Sequence, residues 1–178
     1  EEAYAGDVVG IPNHGTLRIG DTLTEGEDLV FRGVPSFAPE ILRRVRIGDA
    51  MKAKKLREAL QQMAEEGVVQ LFLPNDGSSA MVGVVGALQL DVLAERLNAE
   101  YGLNATFESS RFELARWVEA EDPAELEKFT RAYPASMAVD LDHAPVYLAA
   151  SAWDLRYEQE KWPAIRFSDV KDYQKQAH

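Results

Sequence analysis

The sequence contains no cysteine and only three histidines among its 178 residues. The absence of cysteine excludes a disulfide scaffold, a zinc ribbon and thiol catalysis, and it is compatible with the reducing cytoplasm. The histidines are His14, His143 and His178, and no two of them have the i, i+4 spacing of a helical metal site. We therefore expect no metal site in this chain.

Long apolar runs are missing too. No run approaches the roughly 18 residues that a membrane-spanning helix requires, and no basic-then-apolar signal segment opens the chain. At 46% hydrophobic residues, the chain can still bury a core, which argues against global disorder. The sequence predicts a cytoplasmic globular protein without a membrane partner.

Positive charge is scarce overall, because 19 Lys and Arg stand against 30 Asp and Glu and leave a formal net charge of −11. This excess of acids argues against indiscriminate binding to phosphates. Residues 42–57 are an exception, since they hold seven cations and a single acid, Asp49. That segment is +6 and the remainder is −17. A basic segment in an acidic chain predicts either a phosphate-contacting surface or a solvated helix face.

The seven cations of this basic segment lie on a predicted strand and the helix after it. Strand alternation places Arg44 and Arg46 on one side, and spacings of three residues pair Lys52 with Lys55, and Lys54 with Arg57, on the helix. The candidate contact residues are Arg43, Arg44, Arg46, Lys52, Lys54, Lys55 and Arg57.

The chain divides into three predicted parts. Residues 1–36 are rich in Gly, Asp and Thr and show short strand patterns at 8–11, 17–19 and 29–31, which we interpret as the last strands of a β-barrel. Proline residues at both ends of segment 35–39 predict a stiff connector. The predicted domains are the barrel strands (1–36), a third domain (37–113) and a C-terminal subdomain (114–178).

Each of the two later parts has the order βαββαβ, which is typical of a ferredoxin-like arrangement. In the first, strands are predicted at 42–48, 68–73, 81–85 and 105–108, with helices at 52–66 and 88–101. In the second, strands are predicted at 114–118, 137–141, 146–150 and 165–167, with helices beginning at 122 and 152. The predicted fold class is therefore α+β: the tail of a β-barrel followed by two ferredoxin-like units.

Several motifs resemble those of translational GTPases. RIGDTL at residues 18–23 is similar to a turn of their β-barrel domain. Residues 56–66 and 86–93 are similar to the two helix regions of the third domain of elongation factor G. The whole chain resembles the family of bacterial class II peptide chain release factors, through NHGT at 13–16, FAPE at 37–40, EEGVVQ at 65–70, VGVVG at 82–86 and ARWVE at 115–119.

The resemblance implies a ribosome-binding factor that hydrolyses GTP and promotes removal of class I release factors at termination. The chain has no G-x-x-x-x-G-K-[ST] loop. We therefore expect a C-terminal fragment without catalytic or cofactor-binding residues, with GTP and Mg²⁺ held by a missing N-terminal domain. The implied partners are ribosomal RNA and proteins, and the factor's own GTPase and barrel domains. The basic segment would contact ribosomal RNA or the GTPase domain.

Two other classes of function are open. Paired ferredoxin-like units also serve as regulatory domains for small metabolites, which would need an apolar pocket with a few polar groups between the halves. A small enzyme would need a nucleophile, a metal set or a matched acid pair, and the sequence offers none. Paired acids such as Asp140 and Asp142 are expected on a solvated surface. Trp117 is expected in the core, with stacking on RNA beside Arg116 as the alternative.

Overall fold

A computed structural model describes residues 4–12, 17, 21–26 and 35–171. Residues 8–11, predicted as a strand, have no strand conformation. A strand requires a hydrogen-bonded neighbour, and no described segment pairs with these residues. The strand predicted at 29–31 lies outside the described residues, as does most of the one predicted at 17–19.

Ten strands and four α-helices are present in the described residues. The first half contains β1 (Ser36–Phe37), β2 (Ile41–Ile47), α1 (Ala53–Glu65), β3 (Gln70–Pro74), β4 (Met81–Val84), α2 (Leu88–Tyr101) and β5 (Ala105–Glu108). The second half contains β6 (Leu114–Glu119), α3 (Pro123–Ala132), β7 (Met137–Val139), β8 (Pro145–Ala149), α4 (Ala152–Lys161), β9 (Arg166–Ser168) and β10 (Val170–Lys171).

The helix boundaries follow from local chemistry. The Asp122 carboxylate accepts a hydrogen bond from the Ala124 amide at 2.9 Å, and Pro123 fills the first turn of α3, where no amide is needed. Helix α2 ends where Gly102 adopts a φ of 64°, a left-handed conformation that favours glycine. These signals were readable in the sequence because caps depend on neighbouring residues alone.

Eight strands form one antiparallel sheet in the order β5-β2-β4-β3-β7-β8-β6-β9. The two halves meet at β3 and β7, where Leu73 lies opposite Val139 and Pro74 opposite Ala138. An antiparallel sheet with four helices confirms the α+β class, and each half has the predicted order βαββαβ. The domain boundaries stay a prediction.

Three buried clusters fill the space around this sheet. In the first half, α1 and α2 cover the face that carries Val45 and Val82. In the second half, α3 and α4 cover the face that carries Val118 and Tyr147. The opposite faces pack against each other, because the central cluster combines Leu42, Phe72 and Met81 of the first half with Phe112, Ala115, Ala138, Val146 and Leu148 of the second. The single sheet therefore folds so that its two halves face each other, with α1 and α2 outside one half and α3 and α4 outside the other.

The segment predicted as a stiff connector, residues 35–39, contains the two-residue strand β1. β1 pairs with β10, and the Ala38 amide donates to the Asp169 carbonyl at 2.7 Å. Pro39 packs across β4 at Gly83, where an added Cβ would lie 2.5 Å from the proline Cγ. The absence of a side chain at Gly83 thus permits this close approach.

Among the helices of the described residues, none combines the length and the apolar character that crossing a membrane demands.

Candidate functional site

The sheet divides the basic segment between its two faces. Val45 belongs to the cluster under α1, whereas Leu42 belongs to the central cluster between the halves. Because side chains alternate along β2, Arg44 and Arg46 lie on the same face as Leu42. The cations of α1 lie on the other side of the sheet. Arg44 and Arg46 therefore share a face, as predicted, but that face is not the one that carries the helix cations.

Two cations of the basic segment donate hydrogen bonds to backbone carbonyls. The Arg43 guanidinium donates through Nη1 to the Leu42 carbonyl at 2.8 Å. Lys55 Nζ donates to the carbonyl of Tyr101 at 2.6 Å. Tyr101 is the last residue of α2, so the lysine stabilises the negative end of that helix. Both side chains thus contribute to the fold.

Arg46 and Arg44 differ in their surroundings. Arg46 donates through Nε to Glu108 Oε2 at 2.9 Å, and both side chains are about half exposed, at 57% and 49%. The Nε of Arg44 is buried and has no hydrogen-bond partner among the described residues. An exposed pair such as Arg46–Glu108 contributes little stability and leaves the guanidinium accessible.

The outward cations of α1 are Lys54 and Arg57, with Lys52 just before the helix. All three are exposed. Lys54 has an 89% exposed side chain and only a loose pair with Glu58, at 3.9 Å. Of the predicted set, these three are best placed to meet a phosphate surface.

A cavity of about 320 Å³ lies between the two halves. Its walls are mainly apolar and include Leu71 and Phe72 from the first half and Trp117 from the second. Asp140, Asp142 and Lys171 supply its charged wall.

Asp140 is the centre of a buried polar network. Its Oδ2 accepts from Lys171 Nζ at 2.5 Å and from the Trp117 indole at 2.9 Å. Its Oδ1 accepts from the amides of Asp142 and Ala144. Burial disfavours the charged form of Lys171, but hydrogen bonds to Asp140 and Asp142 outweigh it, and the pKa of Lys171 lies above its ordinary value.

The expectation of a solvated Asp140 is therefore wrong, since this residue is only 8% exposed. Trp117 packs against the central cluster, as the core interpretation predicts. Sequence reasoning missed the network because its lysine lies 31 residues away in a separate strand. No local spacing signals such a contact.

Among the described residues, no cluster of three or more His, Asp or Glu side chains is arranged to hold a metal ion. His143 lies in the turn between β7 and β8 with a φ of 62°. His14 and His178 lie outside the described residues.

Comparison with known proteins gives the family. A family model described as "Class II release factor RF3, C-terminal domain" matches residues 31–159. Peptide chain release factor 3 of Nitrosomonas europaea is 46% identical over 173 residues, which are 97% of this chain and 32% of that relative. The same figures apply to peptide chain release factor 3 of Nitrosomonas eutropha.

This chain spans about a third of the length of these curated relatives. Since the family model covers well over half of the residues, the chain belongs to the class II release factor RF3 C-terminal domain family.

Proposed function

We propose that this chain is the ribosome-binding and domain-coupling part of a GTP-dependent release factor that promotes removal of class I release factors after termination. In this proposal GTP and Mg²⁺ bind to a GTPase domain of the whole factor. The chain's own partners are ribosomal RNA and proteins together with the GTPase and barrel domains, and it acts in the cytoplasm. Its matched family and its relatives, both named for release factor 3, carry the proposal.

The architecture supports a mechanical role. The two halves share one sheet through β3 and β7, and the central cluster packs their remaining faces together. A unit joined in both ways resists internal bending, so a displacement applied at one end is passed to the other. We further propose that residues 37–113 and 114–178 move together as two subdomains of one rigid unit.

The outward cations of α1 support the ribosomal contact. Lys52, Lys54 and Arg57 lie on the exterior of a chain whose net charge is −11. Because the remainder of the chain is acidic and repels phosphates, these exposed cations favour orientations that bring α1 to the RNA.

The test exchanges charges on two helices that occupy the same place in the two halves. Lys54→Glu with Arg57→Glu on α1 is compared with Lys128→Glu with Arg131→Glu on α3, which has the same spacing and the same charge change. Lys128 and Arg131 already pair with Glu125 and Glu127. Binding of each variant to ribosomes is measured at salt concentrations from about 50 to about 200 mM, the range over which phosphate contacts weaken strongly.

The α1 variant should bind less tightly and with a flatter salt dependence, by roughly 0.7–0.9 in the logarithmic slope for each phosphate that the variant no longer neutralises. The α3 variant should keep the slope of the unmodified chain. Equal slopes for all three proteins would show that α1 does not contact phosphates. Removal of class I factors is then measured with the same substitutions in the whole release factor.

The cavity between the halves favours a second candidate, a regulatory site for a small metabolite. It combines apolar walls with the charged group of Asp140, Asp142 and Lys171, as such sites commonly do. Calorimetry against amino acids and nucleotides separates the candidates. A micromolar ligand whose binding is abolished by Trp117→Ala would favour the metabolite site. The absence of binding heat with every amino acid and nucleotide tested would exclude this candidate.

A further inference from the structure

Helices α2 and α4 share one hydrogen bond at their starts. The amide of Val85 donates to the Gln89 side chain four residues later, at 2.8 Å. The amide of Ala150 likewise donates to the Asp154 carboxylate four residues later, at 3.3 Å. These matching bonds set the alignment of the two helices, so that each position of α2 corresponds to the position of α4 numbered 65 higher.

This alignment pairs two exposed stripes of different chemistry. Leu88 and Val92 on α2, exposed at 79% and 51%, correspond to Trp153 and Tyr157 on α4, exposed at 72% and 48%. Both helices thus present large apolar side chains to solvent at the same two positions. The two pairs differ in chemistry, since the pair on α2 is aliphatic and the pair on α4 is aromatic.

The two rings on α4 form a stack. Trp153 and Tyr157 lie 14° from parallel with their centroids 5.7 Å apart, and the Lys161 ammonium lies 5.7 Å from the centroid of the tyrosine ring. The Trp153 indole packs against the Tyr157 ring rather than into the core, so most of the indole surface is exposed to solvent. A further planar group can extend such a stack.

The charges beside the stripe also differ between the helices. Asp91 of α2 corresponds to Arg156 of α4, and both side chains are exposed. With Glu160 and Lys161, the exposed charges of the α4 stripe amount to +1. The matching set on α2, made of Asp91, Glu95 and Arg96, amounts to −1. Cations beside an aromatic stack suit a planar ring attached to a phosphate.

We propose that the aromatic platform of α4, made of Trp153, Tyr157, Arg156 and Lys161, binds an unpaired base of RNA. The base stacks on the indole, and Arg156 and Lys161 contact the neighbouring phosphates. This inference rests on the proposed function, because it names ribosomal RNA as the partner of a second surface. A base inside a duplex has both faces covered, so the platform selects single-stranded or looped RNA.

The experiment measures binding of this chain to a labelled single-stranded RNA of about 12 nucleotides and to the duplex of the same sequence, by fluorescence anisotropy at about 50 mM salt. The single strand should bind more tightly than the duplex. Trp153→Ala should lower the single-strand affinity by about 5- to 100-fold, the usual effect of removing one stacking partner. Trp153→Phe should retain most of the affinity, because it keeps a ring.

The matched control is Leu88→Ala, which removes the exposed side chain at the corresponding position of α2. It should bind the single strand as the unmodified chain does. Arg156→Gln should flatten the salt dependence by roughly 0.7 in the logarithmic slope. A weakened Trp153→Ala variant beside an unchanged Leu88→Ala variant would support the platform.

Three results would overturn the inference: no binding of the unmodified chain to the single strand, equal affinities for single strand and duplex, or equal affinities of Trp153→Ala and Leu88→Ala. The α1 charge variant is measured for ribosome binding as described above. If it binds ribosomes weakly while the oligonucleotide results stand as expected, both surfaces are supported. If the α1 charge variant binds ribosomes normally but Trp153→Ala weakens RNA binding, the platform is supported and the proposed role of α1 is refuted.

Discussion

The two halves of the molecule follow one backbone plan with two kinds of core. Beneath α1 and α2 the buried side chains are Val, Leu, Ala and Met. Beneath α3 and α4, Phe129 lies at the centre of four other rings, with centroids 5.1–5.4 Å away: Tyr133, Tyr147, Trp162 and Phe167. Three of the four contacts are edge-to-face, the arrangement that aromatic pairs favour. The same order of strands and helices can therefore enclose either an aliphatic or an aromatic core, provided that the side chains fill the space between helices and sheet.

The ties between helices differ in the same manner. Arg96 of α2 pairs with Glu66, the residue that caps the end of α1. The corresponding Lys161 of α4 donates to the hydroxyl of Tyr133, which caps the end of α3. The ion pair of the first half is thus replaced, at the corresponding position of the second half, by a hydrogen bond from lysine to a tyrosine hydroxyl. The position of the contact comes from the backbone plan, whereas its chemistry comes from the side chains at hand.

The largest expected effect tests the aromatic core. Phe129→Ala should lower the free energy of unfolding by about 3–5 kcal/mol, because the ring is fully buried and its removal leaves a cavity. Leu60→Ala, at a fully buried position of the first half, should cost about 2–5 kcal/mol. Urea titration measures both. Phe37→Ala removes a ring that is 61% exposed and serves as the control; a cost for Phe129→Ala no larger than this would contradict the aromatic core.

A second prediction compares the two hairpin turns. Asp140, in the turn between β7 and β8, holds Lys171 and Trp117, whereas Asp76, in the turn between β3 and β4, accepts from the exposed backbone amide of Ser78 within its own turn. Asp140→Asn should cost about 1.5–3 kcal/mol, because it weakens charge-assisted hydrogen bonds to a buried carboxylate while Lys171 keeps Asp142 as a partner. Asp76→Asn should stay within about 0.5 kcal/mol. Urea titration measures both variants, and equal costs would show that the buried network contributes no more than a surface turn.

The cost of Asp140→Asn should depend on pH. Because the pKa of Lys171 is raised in the folded chain, the ion pair contributes fully below the lysine's ordinary value of 10.5 and is lost as the pH rises through the folded-state pKa. The difference in unfolding free energy between the native chain and Asp140→Asn should therefore shrink above about pH 10.5. A difference that stays constant from about pH 7 to about pH 11 would exclude the pair as its source.

The smallest effect should be a gain in stability. Glu158 is 5% exposed and its Oε2 has no hydrogen-bond partner among the described residues, while the corresponding Leu93 is fully buried. Glu158→Leu should raise the free energy of unfolding by about 1–2 kcal/mol, since it removes an unsatisfied buried oxygen. Glu160→Leu, on the exposed side of the same helix, should change it little. Destabilisation by Glu158→Leu would mean that the carboxylate is satisfied in the folded chain.

Most element boundaries were predictable, since they depend on adjacent residues. The apolar spacing of Leu56, Leu60 and Met63 predicted α1, and Asp122 with Pro123 predicted the start of α3. The clustering of seven cations was also a property of the sequence. The roles of the individual cations were not predictable, because the sequence cannot show that β2 turns Arg44 and Arg46 away from α1, or that Lys55 caps α2.

The sequence by itself determined the α+β class, the repeated order βαββαβ and the acidic body with one basic segment, because periodicity, caps and charge are local properties. Only the tertiary structure decided that the halves share a sheet, that Lys171 reaches Asp140, and that Trp153 and Tyr157 stack on an outer face. These contacts join residues of separate elements or depend on which side of a helix faces the core. Such relations follow from packing, which no short stretch of sequence encodes.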